Sequence, residues 1–258
     1  MAGVEGRVAL VTGAGSELGI GFATARLLRA KGAKVAITST TDRIFERLEE
    51  LGGDQNNTYA DTADLTDSDA VTSLLDGVEE KLGPIDIVVN NAGMVQIGRE
   101  APGQPLHKMS DESWRYSIDI NLTNVFLVTR AVLSGMIERK YGRIVQMSSA
   151  TGPVAGIPGS AAYSTAKAGL LGMARSLAIE VGPYNVTVNC IGPGWIETGS
   201  SSNAEIVAGQ HTPVGRAGTP EEVGHVAVFL ANEEASYITG QLIVVDGGNT
   251  IQEYKVSL

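Results

Sequence analysis

Tyr163 and Lys167 stand four positions apart in YSTAK, and the apolar spacing of AAYSTAKAGLLGMARSLAIEVG predicts a helix around them. Residues at i and i+4 share a helix face, so the phenol and the ammonium are neighbours. A free phenol, with a pKa near ~10, is a poor base at neutral pH. A neighbouring ammonium favours the phenolate and lowers that value, which lets the pair exchange a proton with an alcohol or ketone oxygen. On any ordinary helix the same two residues would be only a tyrosine and a lysine, so the rest of the chain must decide. Ser148 and Ser149 follow the apolar run RIVQM. Either hydroxyl could steady an oxygen on which charge develops, and loop polarity at a strand end explains them as well.

A second candidate for chemistry is TGAGSELGIG, residues 12–21. It follows an apolar run and opens a helical pattern. There, free backbone N–H groups and the helix dipole favour an anion, and glycine lets the backbone approach it. The spacing is unusual: G-x-G-x-x-G counted from Gly13 finds Gly15 and then demands glycine at Leu18. A phosphate-binding loop of the Lys-Ser or Lys-Thr type is excluded, because no such pair follows the last glycine. A plain strand-to-helix turn is the competing reading.

These groups need a scaffold, and the patterning supplies one. RVALVT (7–12), KVAITS (34–39), IDIVVN (85–90), RIVQMS (143–148), VTVNCI (186–191) and LIVVDG (242–247) are rich in Val and Ile and nearly continuous in apolar character. That suits strands buried on both faces of a parallel sheet. NTYADTADL around Tyr59 is a weaker strand. Between them lie the helical patterns GFATARLLRAKG, DAVTSLLDGVEEKLG, the long DESWRYSIDINLTNVFLVTRAVLSGMIERKYG and TPEEVGHVAVFLAN. The last opens on a threonine cap with Pro220 just inside. Alternation of this kind predicts an α/β fold: a single doubly wound, mostly parallel, Rossmann-type sheet with helices on both faces. No linker or repeat divides the chain, so residues 1–258 are expected to form one domain.

The balance of 19 basic and 29 acidic residues gives a net charge of −10. Such a surface repels phosphate backbones and anionic lipid, which argues against nucleic-acid and membrane partners. With one cysteine, Cys190, no intrachain disulfide can form. No basic leader precedes an apolar core and no apolar run of membrane-crossing length is evident, so a cytoplasmic location is expected. His107, His211 and His225 share no metal-ligand spacing, and no metal is expected.

Taken in order, Thr12-Gly13 with Gly19-Ile20-Gly21, NNAG at 90–93, Asn121, SSATG from Ser148, YSTAK at 163–167 and PGWIET from Pro193 resemble the short-chain dehydrogenase/reductase family over essentially the whole chain. The glycine motif of that family is T-G-x-x-x-G-x-G; here two more residues separate Gly13 from Gly19. The resemblance implies an oxidoreductase that moves hydride between a nicotinamide cofactor and a carbonyl or secondary alcohol, with Tyr163 as acid/base, Lys167 tuning it and holding the nicotinamide ribose, Ser149 positioning the oxygen and Asn121 in a proton relay. It assigns cofactor contacts to Gly13, Ser16, Gly19, Ile20 and Gly21 in the glycine loop, to Asp64 and Leu65 at the adenine, to Asn91, Ala92 and Gly93, and to Pro193, Gly194, Ile196 and Thr198 beside the nicotinamide.

Cofactor choice is read after the second strand, where an acid would bond the ribose 2′-OH and repel a 2′-phosphate. The stretch AITSTTDR has no carboxylate before Asp42, and Ser39, Thr40 and Arg43 could hold a 2′-phosphate, which favours NADP(H) over NAD(H). The chain is most similar to 3-oxoacyl reductases and their relatives, so a small or medium ketone or 3-oxoacyl substrate is expected. An NAD-dependent alcohol or sugar-alcohol dehydrogenase and a dinucleotide sensor without turnover are the alternatives; enoyl reductases have a wider tyrosine-to-lysine spacing. In carrier-protein reductases basic residues help dock an acidic carrier; Lys140 is present, but Tyr184 stands where another would be expected. The segments 94–108 and 199–216 are expected to border the substrate, Trp195 to wall it or pack, and Cys190 to lie in the core. Surplus apolar residues on two helices (Val125, Phe126, Val128, Val132 and Leu133; Leu170, Leu171, Met173 and Leu177) imply a second buried surface and a homotetramer.

Overall fold

Apolar strands of this kind need parallel neighbours and helical cover on both faces, and the computed structural model, which describes residues 3–94 and 103–253, has both. The first half of the chain runs β1 (Val8–Thr12), α1 (Ile20–Ala30), β2 (Lys34–Ser39), α2 (Arg43–Glu50), β3 (Thr58–Thr62), α3 (Ser68–Leu82) and β4 (Ile87–Asn90). The second half runs α4 (Asp111–Ile118), α5 (Asn124–Arg139), β5 (Gly142–Met147), α6 (Ala161–Val181), β6 (Val186–Pro193), α7 (Asn203–Gln210), α8 (Pro220–Ala231) and β7 (Leu242–Val245). The strands form one sheet in the order β3-β2-β1-β4-β5-β6-β7, and every pairing in it is parallel. Helices α3, α5 and α6 cover one face, and α1 and α8 the other. The order reverses between β1 and β4, which opens a crevice at their carboxyl ends, the place where such sheets take ligands.

Three departures from the sequence reading have physical causes. NTYADTADL holds a full strand, β3; as an edge strand it leaves Tyr59, Asp61 and Thr62 partly exposed, which dilutes its apolar signal. Helices α2 and α7 lie outside the expected helical patterns: α7 fully buries only Gly209, and α2 is short, its narrow stripe of Ile44, Leu48 and, just past its end, Leu51 set among charged residues. The long helix between β4 and β5 is interrupted by a π turn at Asp119–Thr123, which separates α4 from α5.

The expectation of no membrane-length apolar segment also needs correction. By length and composition alone, Asp111–Arg139 is apolar enough to cross a membrane. Half of its most apolar window is buried inside the fold, where Val125, Leu127, Val128, Val132 and Met136 join the core.

The same burial absorbs most of the apolar surplus that implied a second buried surface. Val125, Val128, Val132, Leu170, Leu171 and Leu177 are buried by the chain itself, and Leu133 and Met173 are partly buried against the core. Of the named residues, only Phe126 is openly exposed.

Candidate active site

The ends of β1, β4, β5 and β6 supply the polar groups of the crevice. At the end of β1 the Thr12 hydroxyl accepts the backbone N–H groups of Asn91 and Ala92, both at 3.0 Å. The Asn91 amide returns two bonds, to the carbonyls of Thr12 at 3.1 Å and Gly13 at 3.0 Å. The glycine loop and the turn after β4 are thereby locked together. Glycine is required where they meet: Gly13 has φ +68°, and a Cβ there would lie 2.6 Å from Cα of Ala92. The loop then runs past β2, where a Cβ on Gly15 would meet the Ser39 side chain at 2.8 Å. Gly19 caps α1, and its N–H donates to the carbonyl of Ser16 at 3.1 Å. The two added residues are therefore absorbed within the turn 14–18, before the helix begins.

At the end of β5, Lys167 is buried and donates to the Met147 carbonyl at 2.9 Å. Burial lowers its pKa from the ordinary lysine value to about 8. The Ser148 hydroxyl donates to the Lys167 carbonyl at 2.8 Å, so Ser148 anchors α6 and is not free for substrate. Ser149 is hydrogen-bonded to Tyr163 and also accepts the Thr151 N–H at 3.0 Å. The structure thus separates the two serines that the sequence left in competition. Lys167 Nζ lies 5.6 Å from the centre of the Tyr163 ring.

The phenol does not behave as the spacing predicts. Its pKa is raised above the ordinary value, first by burial; the Ser149 hydrogen bond opposes this, and the charge of Glu205 adds to it. Lys167 lies against the ring and is not among the groups that shift the hydroxyl. Tyr163 is therefore held protonated at neutral pH, as a proton donor should be.

Asn121 sits in the π turn between α4 and α5 and is buried. Its amide nitrogen donates to the Ser117 carbonyl at 3.1 Å and its oxygen accepts the Met94 N–H at 2.8 Å. A Cβ on Gly93 would lie 2.9 Å from Asn121 Oδ1 and 3.2 Å from Lys167 Nζ. Asn121, Lys167 and the turn after β4 therefore converge on one point that only glycine leaves open.

The remaining predicted contacts stand at or just beyond the carboxyl ends of β1, β2, β3 and β6, with looser holds. Ser39 donates to the Thr41 carbonyl at 2.8 Å, Arg43 Nε donates to Thr41 Oγ1 at 3.3 Å, and Thr40 and Arg43 are exposed. Asp64 is exposed and accepts two bonds from Thr66, whereas Leu65 is buried. Ile20 opens α1 and is partly buried beside Gly21. On the far side, Pro193 ends β6, and a Cβ on Gly194 would meet Cβ of Asp246 at 2.6 Å. Ile196 pairs with Gly218, and the Thr198 N–H donates to Ser201 Oγ at 2.9 Å. Gly199 then lies against Ser16, so this segment returns to the glycine loop.

Of the segments expected to border the substrate, 95–102 lie outside the described residues; beyond them Gln104 packs against Gly159, and α7 brings Glu205 within electrostatic reach of Tyr163. Cys190 is buried in β6 and Trp195 is partly exposed. Lys140 and Tyr184 precede β5 and β6, at the opposite end of the sheet from the crevice. Among the described residues no cluster of three or more His, Cys, Asp or Glu could hold a metal ion.

Two site residues escape the sequence reading. Glu205 could have been found from S-x-x-E in SSNAE, the signature of a capping box, which Ser202 and Glu205 form. Asn124 leaves only a faint mark, a second buried asparagine three positions after Asn121.

Comparison with known proteins gives a consistent setting. A family profile described as enoyl-(acyl carrier protein) reductase matches residues 13–250. The chain is 39% identical over 268 residues to the oxidoreductase UcpA of Salmonella typhimurium, covering 98% of each. It is 38% identical over 250 residues to the 3-oxoacyl-[acyl-carrier-protein] reductase FabG of Escherichia coli, covering 95% of this chain and 97% of that one. A point variant of the actinorhodin polyketide ketoreductase, solved with NADPH, aligns with a TM-score of 0.85 at 33% identity, covering 96% of this chain and 98% of that one.

Proposed function

The chain belongs to the short-chain dehydrogenase/reductase family of NAD(P)-dependent oxidoreductases, and from that premise we propose that it transfers hydride between NADP(H) and the carbonyl of a small or medium ketone or 3-oxoacyl compound, or the matching secondary alcohol. The observation that carries this reading is the Ser149–Tyr163 hydrogen bond beside a lysine and an asparagine that converge on Gly93. The spacing of Tyr163 and Lys167 favours a carbonyl over an enoyl double bond.

The residues fit a dinucleotide: at Gly13, Gly15 and Gly93 the absence of a side chain lets the loops at the strand ends close on Ala92, Ser39 and Asn121, which leaves backbone at the crevice. Gly13, Ser16, Gly19, Ile20 and Gly21 would hold the pyrophosphate, Asp64 and Leu65 the adenine side, Asn91, Ala92 and Gly93 the middle, and Pro193, Gly194, Ile196 and Thr198 the nicotinamide end. Ser39, Thr40 and Arg43 would receive a 2′-phosphate; this is supported by the serine that ends β2 where an acid would favour a 2′-hydroxyl, and by Arg43, which flanks the loop at Gly15. When bound, the cofactor supplies the hydride.

Proton handling falls to the chain. Tyr163, protonated at neutral pH, donates to the carbonyl oxygen as negative charge develops and takes the proton back in the reverse direction. Ser149 donates to the same oxygen and holds it in place before charge appears. Lys167, with a pKa lowered to about 8, exchanges its proton with little driving force near neutrality and holds the ribose. Asn121, beside Lys167 at Gly93, links it to the relay. One sheet carries both sets of groups, which supports reading residues 1–258 as one domain. A cytoplasmic homotetramer completes the reading; exposed Phe126 and Ile179 on α5 and α6, and Phe229 with half-exposed β7, are the surfaces that contacts would cover.

Side-by-side kinetics with NADPH and NADH over a panel of ketones and 3-oxoacyl esters test this. Reduction of at least one carbonyl, with kcat/KM higher for NADPH, is expected. Equal or better rates with NADH would overturn the cofactor choice, and no turnover of any member would overturn the reaction. Light scattering should give about four times the 26.9 kDa of one chain.

A further inference from the structure

We infer that Asn124 is a positioning residue: its side chain substitutes for the backbone bond that the π turn gives up and ties that turn to the loop after β4, thereby holding Asn121 beside Lys167. The inference rests on the roles proposed above for Asn121 and Lys167.

In an unbroken α-helix the N–H of residue 124 would donate to the carbonyl of Ile120. Here it donates to Asp119, one residue further back, because the turn is of the π type. The Ile120 carbonyl thereby loses its α-helical donor in a buried place, where an unpaired carbonyl is unfavourable. The side-chain nitrogen of Asn124 meets that need at 2.9 Å. Its other hydrogen reaches across to the Ala92 carbonyl at 3.0 Å, in the turn that follows β4. The side-chain oxygen accepts the N–H of Val125 at 2.6 Å, an amide that a regular helix would direct at the carbonyl of Asn121.

A single buried side chain thus makes three bonds, and each touches a part of the site: the π turn, the Asn91–Gly93 turn and the helix beyond Asn121. Asn121 does the same one turn earlier, donating to Ser117. Two asparagines three apart therefore close the wide turn with side-chain amides. The convergence at Gly93 depends on this. The Ile120 carbonyl itself lies 3.6 Å from where a Gly93 Cβ would stand, in the same small space as Asn121 Oδ1 and Lys167 Nζ. Without the Asn124 bonds, the segment regains its backbone bond by closing to α geometry. Closing the bulge shifts the register of the helix before the turn by one residue relative to the helix after it, a rotation of about 100°. Asn121 would then leave Lys167.

The test uses Asn124→Asp, which keeps size and loses both donated bonds, and Asn124→Ala, each in the parent and in an Asn121→Ala background. NADPH affinity is followed by protein fluorescence, and hydrogen exchange is measured across 117–125. The expected result is a kcat lowered about 10- to 100-fold, with carbonyl KM and NADPH Kd within about threefold, and faster exchange confined to that segment. In the Asn121→Ala background the same substitutions should lower kcat less than about twofold further, because they act through a side chain already gone. A kcat within about twofold of the parent, or the same loss in both backgrounds, overturns the inference. Should Asn121→Ala alone leave kcat at the parent level, the relay role proposed for Asn121 falls, and this inference with it.

Discussion

The loop after β4 and the loop after β2 both line the crevice and both end a buried strand, yet they are held in different ways. The first is fastened by bonds between residues far apart in sequence: Asn91 and Ala92 to Thr12, Asn91 to Gly13, Met94 to Asn121, and Asn124 to Ala92. The side chains of the second bond only their own neighbours, Ser39 with Thr41 and Arg43 with Thr41, two positions apart; its long-range tie is made by backbone at its base, from the Ala63 N–H to the Ser39 carbonyl at 3.0 Å. Long-range buried bonds set the relative position of elements, and a change there moves several groups at once. Local exposed bonds shape one loop, and a change there alters what the loop touches and little else. Chemistry is accordingly expected to depend on the first region and selectivity on the second.

The largest effect should come from Tyr163→Phe. Removing the hydroxyl takes away the proposed proton donor while the ring still packs, so kcat should fall about 1,000-fold or more with NADPH Kd almost unchanged. Turnover within tenfold of the parent would end the assignment. Gly93→Ala comes next. The new methyl would press on Asn121 Oδ1 and Lys167 Nζ, at 2.9 and 3.2 Å, and neither can retreat because both are buried and bonded. A loss of about 100-fold in kcat/KM, compounded of weaker cofactor binding and slower chemistry, is expected from a displacement of this kind.

Ser39→Asp should act in the other manner. An aspartate can accept the Thr41 N–H as the serine does but loses the bond the serine donates to the Thr41 carbonyl, so the disturbance stays within the loop. A carboxylate there opposes a 2′-phosphate and welcomes a 2′-hydroxyl. The ratio of kcat/KM for NADPH over NADH should drop about tenfold or more, while kcat with the favoured cofactor stays within a few-fold. If kcat collapses with both cofactors, the contrast between the two loops is wrong.

The same contrast explains how much of the molecule is legible in its sequence. Parallel, doubly buried strands leave nearly continuous apolar runs, so the sheet can be read directly; the candidate groups stand out only through the order of motifs that carries the family resemblance, since YSTAK alone is an ordinary stretch of helix. The Ser148/Ser149 choice cannot, because only the packing of α6 makes Ser148 bond the Lys167 carbonyl. The π turn is invisible, since a bulge changes hydrogen bonding without changing composition. The tyrosine's pKa departs from expectation for a related reason. An i, i+4 spacing brings two side chains together but does not fix which atoms meet, and here the ammonium faces the ring while burial acts on the hydroxyl.

The smallest expected effect concerns Glu205. It stands at the third position of α7, where its carboxylate accepts the Ser202 N–H at 2.7 Å and the Ser202 hydroxyl at 2.8 Å. Its charge raises the Tyr163 pKa, and the Ser149 hydrogen bond, the larger of the two, lowers it. Glutamine serves a capping box nearly as well as glutamate, so Glu205→Gln keeps the helix start and removes the charge. With a raising cause gone, the phenol should titrate at lower pH. Carbonyl reduction needs the protonated phenol, so its alkaline decline should begin at lower pH. Alcohol oxidation needs the phenolate, so its alkaline rise should move the same way. Ser149→Ala should move both limbs to higher pH and by more. The shift for Glu205→Gln should shrink in salt, since a partly exposed charge is screened and a hydrogen bond is not. Profiles of kcat/KM against pH at low and high ionic strength, in both directions, would check all of this. A limb that stays put at low salt, or moves to higher pH, would show that Glu205 acts only as a cap and that the α7 region belongs with the local, exposed class of loop.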